Sequence, residues 1–193
     1  MFRRLLPAGM ALAIALGGPA AFANTTTPNL GLNKPSVGAD SDTWGTYLNQ
    51  NADKIDALFS SGTWTPVVTF ATPGNLSVSY SQQSGRYTQI GDLVYVDVTL
   101  AFIPTFTTAS GDLIITGLPI AANASNLANM GGMATISQGF PGLVTGSLSS
   151  ALESTTSLMV RSDDPANGVY RLTASHVASG VTVSITMSLI YKK

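Results

Sequence analysis

Two stretches of strict alternation constrain this chain more than anything else in it. Residues Val94, Val96, Val98, Leu100 and Phe102 alternate with Leu93, Tyr95, Asp97, Thr99 and Ala101. Near the other end, Val181, Val183, Ile185, Met187 and Leu189 alternate with Thr182, Ser184, Thr186 and Ser188. A period of two puts every second side chain on the same face, so each stretch predicts a strand with one face in a core and one toward water. Shorter candidates fall at 65–70, 76–80, 86–90, 113–116, 134–137, 143–148, 158–161 and 169–174. Turn residues separate them: Pro73-Gly74-Asn75, Ser110-Gly111-Asp112, the run from Asp163 to Gly168, and Ser179-Gly180. Many short strands with regular turn signals predict a mainly β fold, an antiparallel β-sandwich or jelly-roll-like domain over 62–193. Residues 121–133, mostly Ala, Asn, Ser and Gly, read as a long loop or weak edge.

Upstream the pattern differs. Trp44, Leu48, Ala52, Ile55 and Phe59 recur at helical spacing after Ser41-Asp42-Thr43, residue types that cap helix starts. This predicts one amphipathic connector helix over 44–61, with Ser60, Ser61 and Gly62 as its stop. Because a lone helix of that length is marginal in water, Trp44, Leu48, Ile55 and Phe59 are read as packing positions. Residues 24–43, rich in Thr, Asn, Gly and Pro, read as an extended arm. Arg3 and Arg4 precede an uncharged stretch at 5–23 that ends in Ala21-Phe22-Ala23, so 1–23 resembles a secretory leader cleaved after Ala23. An uncleaved membrane anchor is the alternative.

Composition limits the partners. Only 10% of residues are charged, and 9 Lys and Arg stand against 10 Asp and Glu, a formal charge of −1. Without a basic field the chain is not expected to bind nucleic acid through phosphate neutralisation. It holds no cysteine, so neither disulfides nor thiolate metal sites are available. Low charge and apolar strand faces together predict a homo-oligomer whose copies cover one another.

Candidates for chemistry are few. His176 is the single histidine, read as a solvated or hydrogen-bonded turn residue; no G-x-S-x-G elbow accompanies it. Asp163 and Asp164 are adjacent carboxylates, but Pro165 breaks the calcium-loop pattern, which favours a hairpin turn. Glu153 is the single glutamate, and a retaining glycosidase needs two carboxyl groups about 5 Å apart. Gly131-Gly132 and Gly139 to Gly142 read as turns, not as a phosphate loop. No enzyme, no cofactor and no metal are expected. Aromatic side chains remain, since their faces stack on sugar rings while Tyr and Trp edges bond hydroxyls; Phe106, Phe140 and Tyr170 are the positions read as receptor or sugar contacts.

Two segments carry a resemblance. The runs NLGLNKPSVG at 29–38 and DTWGTYLNQNADKIDALF at 42–59 resemble a short connector module that recurs in bacteriophage tail fibres and tailspikes. GTWTP at 62–66, SGRYTQIGDLVYV at 84–96 and TGLP at 116–119 are similar to a pattern of carboxy-terminal fibre domains. The resemblance implies a non-catalytic, trimeric virion protein that joins other tail or baseplate proteins and touches a host glycan or protein through tip loops. The secretory-like leader departs from that pattern. It implies as alternative an exported bacterial surface or periplasmic carbohydrate-binding domain.

Overall fold

The computed structural model describes residues 24–38, 40, 42–127, 131–141, 147–164 and 168–193. The leader at 1–23, the capping position Ser41, most of the strand expected at 143–148 and the loop residues Pro165 to Asn167 lie outside them. Two compact units divide between Ile55 and Asp56.

In the first unit the arm is a small hairpin instead of an extended strip. Strand β1 (Thr25–Thr26) pairs antiparallel with β2 (Asn33–Lys34). The turn between them closes through Thr27, whose N–H reaches the Leu32 carbonyl at 2.9 Å and whose hydroxyl accepts the Leu32 N–H at 2.9 Å. Gly31, at φ 60, permits the left-handed step this needs. Helix α1 (Trp44–Asp56) is tied to the hairpin by amide side chains standing in for backbone. Asn51 accepts the Asn33 N–H at 2.7 Å and donates to the Asn33 carbonyl at 2.8 Å. Lys54 donates to the Gly31 carbonyl. No residue of α1 is buried; Trp44, Leu48 and Ile55 are 58, 56 and 44% exposed.

The helix stops at Asp56, short of the expected 61, and Phe59 is not a helix residue. It opens strand β3 (Phe59–Trp64), which pairs with β5 (Ser77–Ile90) from Phe59 opposite Ile90 to Trp64 opposite Gly85. A ladder against a long neighbouring strand satisfies the backbone of 59–64 better than one more exposed helical turn would. Pairing therefore overrides the helical spacing.

The second unit holds one ten-stranded antiparallel sheet. Its remaining strands are β4 (Val67–Thr72), β6 (Leu93–Thr105), β7 (Ser110–Thr116), β8 (Gly131–Gln138), β9 (Ser147–Ser154), β10 (Ser157–Asp164), β11 (Gly168–Arg171) and β12 (Val183–Lys192). The order is β3-β5-β6-β12-β8-β9-β10-β7-β4, with β11 beside β10. Both alternating stretches lie at the centre, β6 paired with β12 over ten residues, Phe102 opposite Val183 to Leu93 opposite Lys192. Their predicted inward residues are buried from Val94 to Phe102 and from Val183 to Leu189. Val181 is the exception: it precedes β12 and is 49% exposed. Residues 77–80 and 86–90 belong to one strand, β5, interrupted by a bulge after Tyr80. Ser110-Gly111-Asp112 begins β7 instead of making a turn, and Gly131 to Met133 lies in β8.

The sheet curls until its ends meet. Tyr80 of β5 accepts the Val68 N–H of β4 at 2.7 Å, and Gln83 of β5 donates to the Pro66 carbonyl at 2.8 Å. Inward residues from β4, β6, β7, β9, β10 and β12 thereby share one core. Tyr191 is buried with them, and its hydroxyl donates to the Ile120 carbonyl at 2.7 Å. Burial pushes this phenol up to about 12 from 10. Ionisation thus begins near pH 10 in the unfolded chain but later in the folded one. The stability tied to neutral Tyr191 is complete below pH 10 and declines between 10 and about 12. We expect alkaline unfolding in that window, a loss on the order of 2 kcal/mol. Tyr191→Phe should flatten this part of the denaturation-versus-pH curve.

Candidate functional site

The register divides the turns of the β unit between two poles. At one lie the chain's passage into β3 at Phe59, the β5–β6 turn at Gly91-Asp92, and Lys193, whose N–H reaches the Asp92 carbonyl at 3.0 Å. The β4–β5 and β6–β7 turns lie at the other, with the connection 172–182 between β11 and β12. There Asn75 latches two turns together: its side-chain oxygen accepts the N–H groups of Thr107 and Thr108, each at 2.9 Å.

The connection 172–182 gathers the residues singled out in the sequence. Thr173 opens a single 3₁₀ turn, Ala174–His176, and donates its N–H to His176 Nδ1 at 3.1 Å. With Nδ1 accepting, a neutral imidazole carries its proton on Nε2. The ring lies 5.4 Å from that of Tyr170. Farther along, the Ser179 hydroxyl holds both backbone groups of Phe106, accepting and donating at 3.0 Å. The Phe106 ring sits edge-on against Phe70 at 5.1 Å. On the opposite side the Ala178 N–H reaches the Gly139 carbonyl at 3.1 Å, next to Phe140. Phe106, Phe140 and Tyr170 are all half-buried and rest on the core. None stands free as a loop tip.

Two open clefts flank this connection. The larger, about 490 Å³, is lined chiefly by Ile136, Gln138, Phe140, Pro141, Ala178 and Val181. The other, about 390 Å³, has Phe106 and Ala109 on one side and Thr173 to Ser175 on the other. Each is lined by both apolar side chains and hydroxyl or amide groups, a mixture that sugar rings and peptide side chains can both use.

Glu153 gains a partner that sequence spacing could not disclose. Arg171 Nη1 lies 2.7 Å from both Asp112 Oδ2 and Glu153 Oε2, joining β11, β7 and β9. The hydrogen bond to Asp112 pushes the guanidinium further above its ordinary value, and the charges of Glu153 and Asp112 add to this. Asp112 Oδ2 and Glu153 Oε2 therefore lie within two hydrogen-bond lengths of each other, bridged by the guanidinium. His176 bonds a backbone N–H, not a carboxylate. Among the described residues no group of three His, Asp or Glu side chains could hold a metal ion, and no helix is long and apolar enough to cross a membrane.

The fold defines a curled antiparallel β unit with Phe106, Phe140 and Tyr170 arranged along the connection 172–182 at one end. No protein-family model and no curated protein matches the chain. Among solved structures, it is similar to the crystal structure of the Dettilon tailspike protein, with a TM-score of 0.52 at 19% identity, covering 70% of this chain and 24% of that one. The likeness is one of fold, and the chain spans about a quarter of the tailspike's length.

Proposed function

We propose that this chain is a non-catalytic, tail-associated virion protein that attaches to a host surface glycan or protein and works as a homo-oligomer, a trimer, joined to other tail or baseplate proteins. One observation carries the reading: Phe106, Phe140 and Tyr170 all border the connection 172–182, at Ser179, at Ala178 and Val181, and at His176 respectively, at the pole opposite the passage into β3. The fold shared with a tailspike and the connector-like runs at 29–38 and 42–59 support it. In this reading Trp44, Leu48 and Ile55 pack against neighbouring copies, and the cleft beside Phe140 receives the ligand.

The test is binding of the fluorescently labelled full chain to host cells. Val181 is exposed in the cleft, so Val181→Asp adds a charge without touching the core. We expect Val181→Asp and Phe140→Ala to weaken binding tenfold or more while thermal unfolding of Val181→Asp stays put. Wild-type affinity in both variants, or no binding by the wild-type chain, would remove the basis of the proposal.

A further inference from the structure

The outer face of β3, β5, β6 and β12 is graded along the strands. Nearest the pole where the chain passes into β3, one cross-strand row reads Phe59, Ile90, Leu93 and Lys192. The next reads Ser61, Thr88, Tyr95 and Ile190, and the third Thr63, Arg86, Asp97, Ser188 and Met133. The fourth is hydroxyls only: Ser84, Thr99, Thr186 and Thr135. An outer strand face meant for water would look like this fourth row throughout. Instead Phe59 and Ile90 are each 57% exposed, Leu93 46%, Tyr95 42%, Ile190 51% and Met133 75%.

We infer that this end of the face is a contact surface for a second copy of the same chain, which deepens the homo-oligomeric part of the proposed function and rests on it. Three observations select that occupant. At these exposures six large side chains present on the order of 500–600 Å² of apolar surface, beyond what monomers ordinarily leave open and near the roughly 800 Å² per partner of a stable interface. The surrounding charges are of both signs. Arg86 and Asp97 are directly opposed on β5 and β6, yet among the described residues the ion pairs are those of Arg171. Lys192 ends the first row, and Asp92 lies in the turn beside it. A surface carrying unpaired charges of both signs complements itself, whereas a partner of one dominant charge would call for a patch of the other. Finally, β3 is an edge strand and carries no lysine, proline or inward charge among its residues FSSGTW, the devices that keep edges from pairing.

The experiment uses the full chain, which has no native cysteine to interfere. Light scattering of the wild-type chain should give a multiple of 19.9 kDa, and the Ile90→Lys, Leu93→Lys double variant should fall to 19.9 kDa with cooperative unfolding retained. As a check independent of charge, Leu93→Cys should resist maleimide labelling and form covalent dimers on oxidation, while Ile103→Cys, outward at the far end of β6, should label freely. A wild-type monomer, an oligomer unchanged by the two lysines, or a monomer of the Leu93→Cys variant whose introduced thiol is protected by another segment of its own chain would each overturn the inference. An oligomer that the lysines dissociate but that ignores host cells would uphold the interface and sink the attachment reading; cell binding by a monomer would do the reverse.

Discussion

Gly132→Val is expected to leave no folded protein, and Gly132→Ala to cost about 3 kcal/mol or more. Gly132 sits in β8 between Leu189 of β12 and Ser150 of β9. A Cβ there would fall 1.8 Å from the Ser188 carbonyl oxygen, 2.6 Å from Ser150 Oγ and 2.8 Å from Leu189 Cα. Two of those three atoms are backbone, so no rotamer change relieves the clash. The vacancy has a use: through it the fully buried Ser150 hydroxyl donates to the Ser188 carbonyl at 2.6 Å, bonding β9 to β12 across the intervening strand. Ser150→Ala alone should cost only about 1 kcal/mol, the net worth of one hydrogen bond. Adding it to Gly132→Ala should restore little, since the Ser188 carbonyl still blocks the methyl. Urea denaturation of the single and double variants checks this; a Gly132→Ala chain within about 1 kcal/mol of wild type would mean that β8 runs differently.

Gly131-Gly132 illustrates what sequence can and cannot disclose. Read by composition, paired glycines among short strands mean a turn. Their part in a ladder depends on which strands flank β8, and β12 and β9 come from some fifty and twenty residues away in the chain. The same limit hides the Glu153–Arg171–Asp112 network, which needs β7, β9 and β11 gathered around β10. Phe59 misleads for a related reason: five apolar residues at helical spacing fit one face, but the last is claimed by pairing with Ile90. Strands β6 and β12 are legible because each buries one whole face, so their pattern is set within the strand and needs no knowledge of neighbours. The convergence of Phe106, Phe140 and Tyr170 lies between these cases. Aromatic type and turn context single them out, while the connection that joins them becomes visible only in three dimensions.

Phe102→Ala is the second variant for which a large loss is expected, about 3–5 kcal/mol, a major share of the roughly 5–15 kcal/mol that holds a typical domain folded. Phe102 is fully buried at the end of the alternating run in β6, and its ring lies 6.0 Å from that of Tyr80 at 45°. Tyr80 in turn accepts the Val68 N–H, one of the bonds by which β5 and β4 bring the sheet's ends together. Burial raises the Tyr80 phenol above its usual value, with the Val68 bond opposing the shift, as fits a hydroxyl held in the seam. Removing Phe102 therefore opens a cavity under the residue that closes the curl. Tyr80→Phe keeps the packing but orphans a backbone N–H, which should cost about 1–3 kcal/mol. Because both changes act on one seam, their effects should fall short of adding in the double variant, by about 0.5 kcal/mol or more. Phe59→Ala makes the opposite case, since Phe59 is exposed on the outer face and its loss should barely alter unfolding of a monomer. If, in the dissociated Ile90→Lys, Leu93→Lys background, Phe102→Ala and Phe59→Ala shifted the urea midpoint equally, the assignment of inward and outward faces across the central strands would be wrong, and with it the outer surface inferred for a second copy.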